Sequence, residues 1–148
     1  MATRIFSCAT WTWLLFALYA TGLPAAEPTP DFEREIAPLL IKRCVECHQG
    51  SEPSGNLLLT TAEGVRKGGD SGAVIDADAP DKSFLLLRIE DGEMPPEKKG
   101  LPQKLPAAEI ALLKRWVAAK APWPKGRTLD LFERTNDVRA GRDWWSLH

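Results

Sequence analysis

Apolar residues recur at helical spacing in several stretches of the chain. Phe32, Ile36, Leu39 and Leu40 make the first stripe. Thr29 or Asp31 is placed to cap it, and Pro38 inside it predicts a kink or the first turn of a second helix. "LLLTTAEGVRKGG" follows as an apolar run and then a short helix, starting at Thr60 or Thr61 and stopped by Gly68 and Gly69. "PDKSFLLLRIE" (80–90) predicts another short helix with Pro80 in its first turn. The clearest helix is "AAEIALLKRWVAAKA" (107–121), with Ile110, Leu113, Trp116 and Val117 on one stripe and Pro122 and Pro124 to end it. No stretch alternates convincingly with the period of a strand. The pattern therefore predicts an all-α domain across residues 27–124, with no internal repeat. Its helices are joined by long turn-rich loops, "HQGSEPSGN" (48–56) and "DGEMPPEKKGLPQKLP" (91–106). Loops of that length in a small domain are usually functional, and a cofactor filling the centre would explain them.

The first residues differ in kind. "MATRIFSCATWTWLLFALYATGLPAA" has Arg4 near its start, no acidic residue, an apolar middle and small residues at its end. That is the layout of an export signal, with cleavage expected near Ala26 or at Gly22. The apolar run is short for a membrane span and is interrupted by Thr10 and Thr12. Residues 1–26 are thus expected to be removed, leaving an exported, periplasmic or otherwise extracytoplasmic chain without a stable membrane span. Cys8 and Tyr19 go with the signal. The remainder holds 18 basic and 20 acidic residues, so nothing suggests a nucleic-acid surface. The 148-residue length and a composition of 44% hydrophobic and 26% charged residues fit one globular domain with a tail. Residues 125–148 make that tail, polar until Trp144 and Trp145, and are read as a linker or the start of a further domain.

The candidate chemistry lies in "CVECH" (44–48). In a helical turn Cys44, Cys47 and His48 occupy i, i+3 and i+4 and emerge on one side. This is the signature of c-type haem attachment. Two thiols add to the two vinyl groups at the haem edge, and the ring is then held where the His48 imidazole meets the iron. Other soft-ligand sites compete. A zinc site wants four ligands, and after signal cleavage only His148 could join Cys44, Cys47 and His48. A thioredoxin-like pair wants a βαβ setting, which the pattern lacks. A plain disulfide closing so small a loop gains little chain entropy.

A haem so held needs a second axial ligand or an open position. His148 and Met94 are the only other histidine and methionine after cleavage. Met94 lies in "GEMPP" (92–96), where Pro95 and Pro96 stiffen the loop that would present it. His/Met ligation raises the reduction potential. A lone methionine is also commonly just a packing residue. Leu57, Leu58, Leu59, Leu85, Leu86, Ile89, Leu113 and Trp116 are placed to pack on the ring. His48 is expected to donate its other ring N–H to a carbonyl near Pro53 to Gly55. Lys98, Lys99 and Lys104 form a basic loop that either steers an acidic redox partner protein or is simply solvated. "KGGDSG" (67–72) lacks the G-K-[ST] ending of a phosphate loop.

In order, "PLLIKRCVECH", "GGDSGAVI", "PDKSFLLLRI", "EMPPEKKGL" and "EIALLKRWVAAKAPWP" resemble the planctomycete-type cytochrome c domain, itself similar to class I cytochromes c. The resemblance spans roughly residues 32–124. It implies a small class I cytochrome c-like fold wrapped around one haem c, with Cys44 and Cys47 as thioether sites. It further implies His48 and Met94 as axial ligands, first and last helices crossing near the haem, and electron transfer rather than catalysis of its own. In that family the domain usually opens much larger exported proteins, and a stretch resembling "DWWSLH" leads into the rest. Two expectations follow: a free-standing carrier, or the haem relay of a larger oxidoreductase or hydrolase-like protein of which this is a truncated copy.

Overall fold

A computed structural model of the chain describes residues 28–135. The expected export signal and the end of the tail, including Trp144 and Trp145, lie outside the described residues. Among the described residues there is no strand, and the architecture is all-α. No helix among them is long and apolar enough to cross a membrane.

The first helical segment has two parts. A π-helical turn, Phe32–Ile36, runs directly into α1, Ala37–Arg43. Pro38 stands in the first turn of α1, just after the junction with the π turn. The π turn is capped by Asp31, whose carboxylate accepts from the Arg34 N–H at 2.9 Å. Glu35 reaches back to the Asp31 N–H at 2.8 Å, which completes a reciprocal cap.

Three further helices follow. α2 is Ala62–Lys67, capped by the Thr61 hydroxyl, which accepts from Gly64 N–H at 3.1 Å. It stops at Gly68, whose φ of 75° and ψ of −164° lie in a region essentially reserved for glycine. A side chain there would also come within 2.1 Å of the Gly72 carbonyl. α3 is Phe84–Glu90. Pro80 does not open it: Pro80–Lys82 forms a separate 3-10 turn, and Ser83 is extended at ψ 126°. Ser83 is fully buried there, and its hydroxyl accepts from the Asp76 N–H at 2.9 Å. That bond is what divides the predicted helix.

α4 is Ala107–Ala118, three residues shorter than the apolar stripe predicts. The Ala121 N–H bonds the Trp116 carbonyl at 2.9 Å and the Lys120 N–H bonds the Val117 carbonyl at 2.8 Å. With Lys120 at φ 67° this is a Schellman ending. Pro122 favours it, because the residue before proline avoids the α region.

The first helical segment and α4 meet at both ends. The start of the π turn meets the end of α4, where the Phe32 and Trp123 ring centroids are 4.5 Å apart. At the other end, Arg43 pairs with Glu109 through two bonds of 2.9 and 3.0 Å. Between these ends Ile36, Leu40, Val45, Leu86, Leu113, Trp116 and Val117 form the core, all essentially out of solvent. Trp116 keeps its indole N–H satisfied by the Pro122 carbonyl at 2.9 Å. After α4 the chain crosses back over the domain. Leu129 is buried in the same core, and its N–H bonds the Thr60 carbonyl at 2.8 Å. Arg127 is held to Glu33 at 3.0 Å and to Glu133 at 2.6 Å.

Candidate functional site

α1 ends where the "CVECH" stretch begins. The Leu40 carbonyl accepts from both Cys44 N–H (2.8 Å) and Val45 N–H (3.0 Å), so the helix closes into a tight turn. The Cys44 carbonyl then accepts from Cys47 N–H (3.2 Å) and His48 N–H (3.1 Å). Val45 points into the core and is fully buried. Cys44, Cys47 and His48 take the other side, and all three line one cavity of about 270 Å³. Met94 lines the same cavity from the loop after α3, 46 residues beyond His48. The sequence's four candidate residues are therefore brought together.

The two cysteines are free thiols in different settings, Cys44 partly buried and Cys47 exposed. Burial, only partly offset by Arg43 beside it, pushes the Cys44 thiol up to about 12. It is therefore an un-ionised thiol across the neutral range. Among the described residues no three His, Cys, Asp or Glu side chains converge as a metal site.

The loop after His48 folds back over the turn. Ser54 N–H bonds the Cys47 carbonyl at 2.9 Å, and Leu59 N–H bonds the His48 carbonyl at 2.9 Å. These bonds carry the Leu57 carbonyl to 3.2 Å from His48 Nδ1. A carbonyl can only accept, so Nδ1 carries a proton, and in the neutral ring Nε2 is the nitrogen with the lone pair. The expected acceptor near Pro53 to Gly55 is thus found two residues further on. The Gly55 carbonyl instead accepts from Asp70 N–H at 2.8 Å, tying this loop to the next.

The inner wall is apolar. Leu59, Val74, Leu85, Ile89 and Leu105 line it and are buried, and Leu57 joins them half-buried. Leu85 and Ile89 are i and i+4 on α3 and so share the face that meets the cavity. Val74 is brought alongside by the bond from Leu85 N–H to its carbonyl, 3.1 Å. Leu58, Leu86, Leu113 and Trp116 do not line the cavity. Leu58 packs towards Gly64, and the other three lie in the core behind the wall. The outer rim is exposed and includes Cys47, Phe84, Arg88 and Met94, the last 37% exposed. Arg43, Arg88, Val74 and Leu105 are lining residues that sequence reasoning does not single out. The two arginines carry no motif, and Val74 and Leu105 sit in irregular segments without a period.

The arrangement suits a large apolar group. Two thiols and an imidazole stand on one short turn, beside a buried hydrocarbon wall and a thioether on a stiff loop. An imidazole with Nδ1 committed to a backbone carbonyl is the usual state of a metal-ligating histidine. A haem fits that donor set and that wall. No curated protein and no solved structure matches the chain. The segment that does match a family model runs from residue 44 to 98 and so includes Cys44, Cys47, His48 and Met94. The model is that of planctomycete cytochrome C, so this segment is similar to the cytochrome c domain of that family, a likeness that suggests a haem-based electron-transfer role.

Proposed function

We propose that the protein is a mono-haem c-type cytochrome that carries single electrons outside the cytoplasm, with residues 1–26 as its export signal and 27–124 as its haem domain. Cys44 and Cys47 would hold the haem as thioethers, and His48 and Met94 would ligate its iron. The bound haem supplies one-electron chemistry, its iron alternating between Fe(II) and Fe(III). The chain's own residues supply the rest. The Leu57 carbonyl fixes the His48 tautomer and ring orientation, leaving Nε2 as the donor. Leu59, Val74, Leu85, Ile89 and Leu105 exclude water from the inner wall, which favours the less charged reduced state. The Met94 thioether is a soft, neutral donor of the kind that raises the potential further. Held by His48 and Met94, a haem here would exchange electrons with a redox partner protein at the exposed rim around Cys47, Phe84, Arg88 and Met94. The observation that carries this reading is the hydrogen bond from His48 Nδ1 to the Leu57 carbonyl, within a turn whose two thiols face the same cavity.

The test is covalent attachment. The chain expressed with a haem-attachment system is expected to keep its haem absorbance after denaturation and solvent extraction. A Cys44→Ser/Cys47→Ser variant is expected to release any haem it takes up. Extractable haem in the unmodified protein, or none at all, overturns the proposal.

A further inference from the structure

The loop that carries Met94 is tied down at both ends. Upstream, the Arg88 carbonyl accepts from both Glu93 N–H (2.9 Å) and Met94 N–H (3.0 Å), and the Arg88 side chain pairs with Glu93. Downstream the tie is long-range. Lys98 Nζ lies 2.8 Å from a carboxylate oxygen of Glu46, 52 residues away in sequence. Glu46 stands between Cys44 and Cys47, and Lys98 stands two residues after Pro96. The pair therefore bridges two walls of the cavity, the cysteine turn and the methionine loop. Within the Met94 loop, Lys98 and Leu101 exchange a second pair of backbone bonds, 3.0 and 3.1 Å, which shape the turn that presents the ammonium.

We infer that Glu46 and Lys98 form a latch that holds the Met94 loop against the cysteine turn and so sets how often the Met94 thioether vacates its place. They are positioning residues: neither lines the cavity. The inference rests on Met94 as second axial ligand. The pair is well exposed, at 61% for Lys98 and 45% for Glu46, so its contribution is small in energy and open to screening by salt. A small change suffices, because loop opening is a local equilibrium far weaker than global unfolding.

The readout is the rate at which carbon monoxide binds the reduced holoprotein, which reports how often the sixth position opens. Lys98→Glu and Glu46→Lys each place like charges together and are expected to speed binding by about two- to fivefold, the range of an exposed pair. The swapped double variant, Glu46→Lys/Lys98→Glu, is expected to return towards the unmodified rate. Raising salt from roughly 0.05 M to roughly 0.5 M, which shortens the Debye length severalfold, should speed binding in the unmodified protein and slow it in each single variant. Denaturation midpoints should stay nearly equal, which separates a latch from general loosening. Met94→Ala is the control. If it binds carbon monoxide no faster than the unmodified protein, Met94 is not the ligand and both readings fall. If it binds much faster, yet the single reversals change nothing or the swap restores nothing, the latch alone falls.

Discussion

A Met94→Ala variant will keep its haem, lose the methionine-to-iron charge-transfer band, and show a lower reduction potential. On the proposed reading the attachment residues, Cys44 and Cys47, are untouched, so the haem should stay on the chain. What is lost is the soft donor. A thioether stabilises the reduced metal, and water or nothing in its place favours the oxidised one. The shift should be on the order of tens to hundreds of millivolts, inside the roughly 0.8 V range that axial ligands set. Fold stability should change little by comparison, since Met94 is 37% exposed and lies on a loop outside the core. Spectroelectrochemical titration of both proteins decides the matter. An unchanged band and potential would remove Met94 from the ligand set.

Trp116→Ala will have the opposite signature, a large loss of stability with little direct effect on the ligands. Trp116 is 1% exposed, lies tilted against Trp123 at a centroid distance of 6.3 Å, and sits behind the cavity wall. Truncating such a residue costs about 3–5 kcal/mol, from lost burial and from the cavity left behind. The Pro122 carbonyl also loses its indole donor. For a domain of this size that corresponds to a fall in melting temperature of roughly 12–25 °C. Thermal unfolding followed by circular dichroism measures it. A fall of only about 2 °C would show that α4 contributes little to holding the wall.

The chemistry of the site is more legible in the sequence than its surroundings. Cys44, Cys47 and His48 fall on one face because three and four residues make one helical turn, and that rule holds even where the helix gives way to a turn. Met94, the candidate left by a short inventory, lines the same cavity. The lining is harder. Periodicity says that Leu85, Leu86 and Ile89 are buried, but a helix wedged between a cavity and a core buries residues on both sides. Only the tertiary arrangement sends Leu86 one way and its two neighbours the other. The ends of α3 and α4 move for local reasons: a buried Ser83 hydroxyl at one, a Schellman ending before Pro122 at the other. The ion pairs Arg43–Glu109 and Lys98–Glu46 join residues 66 and 52 positions apart and leave no local pattern at all.

The crossing of residues 125–135 back over the domain bears on how the protein can be cut. By composition this stretch reads as polar tail, and a fragment ending at Pro124 would look complete. Yet Leu129 fills the core between the π turn and the loop before α2, and Arg127 clasps Glu33 from outside. A shortened expression fragment, or a fusion joined at Pro124, would open the core where Leu129 sits and leave the Thr60 carbonyl without its donor. The smallest piece suitable for spectroscopy therefore runs on to at least Glu133.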